Sequence, residues 1–410
     1  MFMTHRENLA TITFELDWER NGIHHSDRLH APRVNFWRDL LRGPLGPALM
    51  GRRSGERIEA DFAAGQITGP RRGERVYAVS PACIGGRLRS GEAVVPRYGR
   101  FYPAGILKGL PGVFPGSVTP FRCTGTGEGG IRADFNHPLA DLPLRVTAVI
   151  EEVRPKFEER GGTCNDWLEL LTSGPGIQAR ANGRPTEFLV PGALEREDPA
   201  PDGQFYRQPR LVQHIDDAAI EAVTGLYRRL VPAGARVLDL MSSWASHLAP
   251  EVPLAEVVGL GLNRVELEAN ARLTGRVVQD LNQAPRLPFP SGRFDAVVCT
   301  VSVEYLTDPL AIFAEVARVL VPGGVFVVTF SNRWFAPKAI RIWSELHEFE
   351  RPGLVLEYFL RSGVFADLFT YSLRGRPRPE TDRYHAANPV ADPVFAVWGH
   401  AGGRTPGSAG

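Results

Sequence analysis

The chain has 410 residues, a formal net charge of +1, 43 glycines, 34 prolines and 4 cysteines, and is long enough for two or three ordinary domains. A charge so balanced gives no electrostatic basis for binding nucleic acid, the Arg-rich stretches at 71–75 and 373–378 reading as solvated loop, and no apolar run reaches the length of a signal peptide or a membrane span. Cys83, Cys123, Cys164 and Cys299 share no metal-ligand spacing, which points to a reduced, cytoplasmic protein. In chain order, ATITFELDWERNG at 10–22 alternates as a half-buried strand does, and so does the end of ADFNHPLADLPLRVTAVIEEV at 133–153. TCNDWLELLTS at 163–173 has helical spacing behind an Asn-Asp start, followed by GPGIQARANGRP and the acid- and Pro-rich GALEREDPAPDG. Internal repeats are absent, and the terminal GGRTPGSAG has the composition of a disordered tail.

From Arg236 to Phe330 the pattern changes. RVLDL at 236–240, EVVGLGL at 256–262, DAVVCTVS at 295–302 and GVFVVTF at 324–330 read as buried strands. Between them VELEANARL at 265–273 and PLAIFAEVARVL at 309–320 read as helices, the second closed by Pro322-Gly323-Gly324 because Pro cannot continue a helix and Gly takes its left-handed cap. Strands apolar on both faces, alternating with amphipathic helices, imply an α/β fold with a parallel sheet covered on each side. Ligands in such sheets bind at the carboxyl ends of the strands, where the strand order reverses.

The run LPFPSGRFDAVVCTVSVEYLTDPLAIFAEVARVLVPGGVFVVTFSNR at 287–333 resembles the second half of a class I S-adenosylmethionine-dependent methyltransferase of the type 11 group. The resemblance extends over 205–400 and implies a Rossmann-like domain, S-adenosyl-L-methionine as cofactor and a small-molecule or protein acceptor. Two positions depart from the family. Its first loop is Gly-rich so that backbone N–H groups can approach the methionine carboxylate, whereas Met241 to His247 contain no glycine. A smaller subgroup of methyltransferase-like proteins carries DL-x-SSW-x-SH, G-x-G-x-N, QDLN, SVEYLT and FSNR, all matched here. The resemblance then gives Ser242 and Ser243 to the carboxylate, the alternative being a helix cap without a ligand, and lets Asp239 orient the loop. The second departure is Gly261, which stands where the family has an acid for the ribose hydroxyls. Either Asn263 substitutes, or the adenosine is held differently or not at all, and an Asp introduced at 261 is expected to tighten binding. Asp280 matches the position that receives the adenine amino group, with Leu281 against the ring; the alternative is a plain turn acid.

A sulfonium donor is already activated, so methyl transfer needs positioning first and a general base only if the acceptor must lose a proton. Glu304 and Tyr305 follow the fourth strand and are candidate catalytic groups, with a Glu304–Arg333 ion pair as the alternative. Asn332 and Arg333 follow the fifth strand as substrate-binding candidates. Tyr206 and Arg210 in FYRQPRLVQHID at 205–216 are placed to face the substrate, and His214 is a candidate general base.

The first half resembles SlyD-type FKBP peptidyl-prolyl isomerases. The markers are the strand at 10–22, PALMGRRSGERIEADF at 47–62 as helix, turn and strand, RYGRFYPAGILKGLPGVFPG at 97–116 as the flap, and FNHPLAD with its following strand. This divides the chain into an FKBP-like α+β domain at 1–155, a connector at 156–204, the methyltransferase domain at 205–400 and a tail at 401–410. Tyr98 matches the flap tyrosine of the prolyl pocket, and the pocket acid falls at Ser26-Asp27. The apolar floor falls at Leu41-Arg42, however, and the last-strand aromatic at Val146, so little isomerase activity is expected from a 1–155 fragment that should fold alone. The interval between Gly116 and His137 is expected to hold a shortened flap subdomain or none. His24, His25 and His30 read as a solvated turn, with no metal site. The rival readings are a chaperone or scaffold built from two degraded enzymes, and an active isomerase carrying a passenger.

Overall fold

The computed structural model describes residues 2–88, 91–157 and 162–402. Strands β1 (Asn8–Arg20) and β2 (Ile23–Asn35) form a hairpin across Asn21-Gly22, both at positive φ, the pairing that the right-handed twist of a two-residue hairpin selects. Helix α1 (Leu45–Ala48) precedes β3 (Arg57–Phe62). Strands β4 (Val76–Val79), β5 (Phe101–Pro103), β6 (Pro120–Gly127) and β7 (Gly130–Asp134) form a separate antiparallel sheet in the order β4-β7-β6-β5, with its own core around Phe121, Cys123 and Ile131. The interval between Gly116 and His137, expected to hold little, is thus the β6–β7 hairpin at the centre of that sheet.

After β8 (Leu144–Pro155) comes α2 (Trp167–Thr172), started by Asp166, which accepts from the Glu169 N–H. Its Trp167 donates Nε1–H to Asp39 Oδ2 at 2.8 Å and stacks near Phe14. The helix therefore docks on the first sheet, and residues 167–179 complete its core. Helix α3 (Asp202–Phe205) and α4 (Asp217–Leu230) lead into β9 (Arg236–Leu240), β10 (Glu256–Gly261), α5 (Arg264–Ala269), β11 (Gly275–Val278), β12 (Phe294–Thr300), α6 (Pro309–Val319) and β13 (Leu320–Phe330). Helices α7 (Arg341–Glu345) and α8 (Glu350–Ser362) and strands β14 (Phe365–Arg374) and β15 (Val394–Ala401) follow. The pattern at 265–273 shortens to α5, because Asn270 leaves the helix to donate from Nδ2 to the Ser243 carbonyl and Ser246 Oγ. No helix forms between β9 and β10. The proposed tail beyond Gly402 lies outside the described residues, and Ala401 belongs to β15.

One 11-stranded sheet runs in the order β11-β10-β9-β12-β13-β15-β14-β2-β1-β8-β3. The first five strands are parallel and β15 is antiparallel to both its neighbours. Chain order reverses between β9 and β12, so the crevice over their carboxyl ends is the expected ligand position. The two halves meet within this sheet: β14 pairs in parallel with β2, Phe369 opposite His24 through Arg374 opposite Leu29. Buried Asp27 holds the seam by accepting from Trp18 Nε1, Gln178 Nε2 and Ser372 Oγ, while His25 Nδ1 and Thr370 Oγ1 lie 2.6 Å apart. Two buried ion pairs anchor α8 to the rest, Arg100 with Glu350 at 2.9 Å and Arg180 with Glu357 through two 2.7 Å bonds.

Candidate functional site

A cleft lies at the carboxyl ends of β9, β10, β11 and β12 and encloses about 780 Å³, counting the part open to solvent, within the range of small-molecule sites. Ten of the sequence-predicted residues line it: Tyr206, Arg210, His214, Ser242, Ser243, Gly261, Asn263, Asp280, Leu281 and Tyr305. What each does there differs from expectation in several cases.

The glycine-free loop after β9 turns on Met241, which takes a φ of 56°. The hydroxyls behind it are already spent: Ser242 Oγ donates to Asp239 at 2.6 Å and Ser243 Oγ to Glu266 at 2.6 Å. Neither is therefore a donor free for a ligand, and with no helix following the loop, neither is a helix cap. Asp239 accepts from Ser246 as well, so its carboxyl ties two points of the loop to the end of β9; burial pushes that carboxyl up to about 6, opposed by those two hydroxyls. Trp244 Nε1 donates to the Val212 carbonyl and pins the loop to the segment before α4.

Gly261 is required by close approach. A Cβ built there would lie 2.1 Å from the carbonyl oxygen of Ser242, so the ribose acid is excluded by the path of the loop, and the expected gain from an Asp at 261 is withdrawn. Asn263 does not replace it either. Its Oδ1 caps α5 by accepting from Val265 and Glu266, and its Nδ2 donates to the carbonyls of Tyr206 and Arg207. Asp280 keeps a place at the cleft while ordering its own turn, accepting from the Asn282 N–H and from Gln283 Nε2, and Leu281 is buried beside it.

An aromatic wall closes the other side. Phe335, which sequence reasoning missed, packs against Phe205, Tyr206, His214 and Tyr305 with ring centroids 5.3–6.4 Å apart, and its N–H donates to Tyr305 Oη at 2.9 Å. The Arg210 guanidinium stands 4.5, 5.4 and 5.3 Å from the rings of Phe205, Tyr206 and Phe335. Its Nη2 donates to the Phe205 carbonyl, and its buried Nη1 has no partner among the described residues. Glu266, also missed, accepts from the Arg210 N–H and from Ser243, tying the 205–216 segment to the loop. The Asn263-x-x-Glu266 spacing at a helix start was the available signal. Asp202 was not foreseen; it accepts from Asn282 and pairs with Arg196.

Glu304 lies behind Tyr305, wholly buried, with Oε2 unpartnered, and loss of water pushes its carboxyl up to about 8. It does not pair with Arg333, whose partner is Asp392 at 3.1 Å. Asn332 and Arg333 both leave the cleft, Arg333 toward Tyr384 and Asp392. Neither Asn332 nor Arg333 lines the cleft, while Ser331 before them is held on the Pro393 carbonyl. His214 lines the cleft, its imidazole lowered by desolvation against a raising influence from Glu266. In the first half, Tyr98 donates to the Ala181 carbonyl at 3.1 Å and lies under Arg184, so it faces residues 181–184 in place of a prolyl pocket. Arg42 pairs with Asp166. His24, His25 and His30 lie on strand β2 and do not form a solvated turn: His25 is buried and stacks on Trp18 at 3.7 Å, and His30 is buried near Glu151.

Residues 241–328 match the family described as a methyltransferase domain. A ubiquinone biosynthesis O-methyltransferase of Xanthomonas axonopodis pv. citri is 34% identical over 125 residues, 28% of this chain and 50% of that protein. Methyltransferase GfsG of Streptomyces halstedii is 32% identical over 130 residues, 29% of this chain and 46% of that protein. The matched stretches thus span about half the length of these relatives. A solved S-adenosylmethionine-dependent methyltransferase of Mesorhizobium loti aligns with 45% of this chain and 99% of its own at 20% identity and a TM-score of 0.30. Residues 241–328 thus carry a methyltransferase-domain pattern, set on the parallel half of the sheet.

Proposed function

We propose that the chain binds S-adenosylmethionine in the β9–β12 cleft and transfers its methyl group to a small-molecule or protein acceptor, which the N-terminal half, FKBP-like by its sequence pattern, helps to recognise. The carrying observation is that one cleft is lined both by Asp280 with Leu281 and by Arg210, which has a buried guanidinium N–H without a partner among the described residues. Such an orphan donor is costly unless an acceptor arrives, and a ligand carboxylate supplies one. The residues therefore fit the adenine and carboxylate ends of the cofactor, while position 261 leaves the ribose without its usual acid. Once bound, the cofactor would supply an activated methyl group.

The chain's own residues would then orient the acceptor and exclude water. Phe335 and Tyr305 form the apolar wall, and the Phe335 N–H fixes the Tyr305 hydroxyl. The names of the matched relatives make an oxygen acceptor the first class to test, and an oxygen acceptor must lose a proton. Glu304 lies behind Tyr305 and does not line the cleft, and burial holds the Tyr305 hydroxyl un-ionised at neutral pH, so neither is placed to serve as base. His214, neutral at that pH because its pKa is lowered, is the remaining titratable side chain of the three candidates.

Calorimetric titration of the full chain with S-adenosylmethionine and S-adenosylhomocysteine tests the reading; saturable heat with both is expected. Absence of binding would favour the scaffold alternative, which draws on the closed ribose position and on the serine hydroxyls committed to Asp239 and Glu266.

A further inference from the structure

Far from the methyltransferase cleft, a second cavity opens where the small sheet, the β1–β2 hairpin tip and residues 181–182 meet. It encloses about 370 Å³, part of it open to solvent, and three arginines line it: Arg20, Arg71 and Arg122. Its single lining acid, Asp134, is engaged by Arg71 and by the Asn136 amide. Arg122, on β6 directly opposite Asp134, is 7% exposed. Its Nε donates to the Gly99 carbonyl and its Nη2 to the Ala179 carbonyl, and its plane lies 4.8 Å from the Phe101 centroid. A guanidinium carries five N–H donors, so these two bonds leave three, and among the described residues no carboxylate pairs with it. Arg20 is likewise half-committed, donating to the Pro138 carbonyl at 2.8 Å with only the rim residue Asp141 at 3.5 Å.

A buried cation with no carboxylate in direct contact is unfavourable; Glu350 and Asp134 act on Arg122 only through space, and three guanidiniums around one lining carboxylate form a field that an anion would relieve. Thr124 adds a hydroxyl held only by a long 3.5 Å contact to the Arg132 carbonyl, while both amide protons of Asn136 are committed to the Arg72 carbonyl and Asp134. We propose that this cavity binds a small oxyanion of phosphate type, free or as the monoester of a small molecule, with Arg122 beneath it and Arg20 and Arg71 at the mouth. Burial lowers the Arg122 pKa to about 10, so the charge is present at neutral pH. The site is independent of cofactor binding in the other half.

The test is calorimetric titration of the full chain with inorganic phosphate and, in a second arm, with glycerol phosphate, at constant ionic strength set with chloride. Saturable phosphate binding is expected, weakened at least about tenfold in Arg20→Gln/Arg71→Gln, with S-adenosylhomocysteine titration of the same variant unchanged from wild type. Glycerol phosphate binding at least as tightly as phosphate identifies an organic monoester as the ligand; weaker binding identifies the free ion. Should the double variant melt low, Arg20→Gln alone, at the hairpin tip, carries the comparison. No saturable phosphate heat in wild type, or equal affinity in the variants, overturns the proposal.

Discussion

The carbonyl oxygen of Ser242 occupies the space that a side chain at Gly261 would need, 2.1 Å from the position of its Cβ. The Ser242 N–H in turn donates to the Leu260 carbonyl at 2.8 Å, so loop and strand tip are zipped together and neither can yield alone. A residue that resembles a lost ribose ligand is thus the condition for the loop's path.

Gly261→Ala is therefore expected to lower stability by about 1–3 kcal/mol through overpacking, and Gly261→Asp by at least as much. Both are expected to weaken the binding of S-adenosylhomocysteine. Thermal melting with and without ligand checks this; a tighter-binding Gly261→Asp would show that the loop moves aside freely.

Among the residues lining the cleft, Asp280→Ala and Arg210→Gln are each expected to weaken S-adenosylhomocysteine binding, by about 1.5–3 kcal/mol for a lost charge-assisted hydrogen bond. The unliganded melting temperature separates this from damage to the Asp280 turn or to the aromatic stack around Arg210. Equal affinities for wild type and both variants would remove the cofactor from this cleft.

Much of the C-terminal half was legible because its signals are local. RVLDL, the apolar run at 295–300 and the Pro-Gly-Gly stop after α6 each carry their own periodicity or cap. Residues that act through distant partners were not. Glu266 matters because Ser243 and Arg210 reach it from two other segments, and Phe335 because five side chains converge on its ring. Strand pairing across the middle of the chain left no local mark either: the alternation in β2 shows that it is a strand, and nothing in it specifies β14 as its neighbour.

Glu304 gives a pH dependence with a definite sign. Its folded-state pKa is raised to about 8 from an ordinary value of 4.5, so the folded protein keeps a proton that the unfolded chain releases. Its own contribution to stability then falls as pH rises from about 4.5 to about 8, by roughly 1.4 kcal/mol for each unit in the window. Glu304→Gln keeps a neutral side chain at every pH. It is expected to match wild type near the acid end of that window and to melt several degrees higher at the alkaline end. Parallel melting curves for the two proteins across the window would mean that Glu304 is ionised in the folded state.

The seam between β2 and β14 decides whether the halves are separable. Asp27 accepts hydrogen bonds from Trp18 in β1, Gln178 in the connecting segment and Ser372 in β14, three stretches far apart in sequence. Asp27→Ala strands those donors in a buried place, at a cost of about 1–3 kcal/mol for each unsatisfied group. A fragment ending at 155 loses more: Trp167, Leu168 and Leu171 no longer complete its core, and the β2 backbone from His24 to Leu29 becomes an open edge, which recruits other strands. The full chain is therefore expected to unfold in one transition, with Asp27→Ala lowering both halves together, and the 1–155 fragment to self-associate. Amide exchange resolved along the chain, with size-exclusion chromatography of the fragment, makes the measurement. A monomeric fragment with native-like protection in β1 and β2 would show that the first half stands alone and that the shared sheet is an attachment between two independent units.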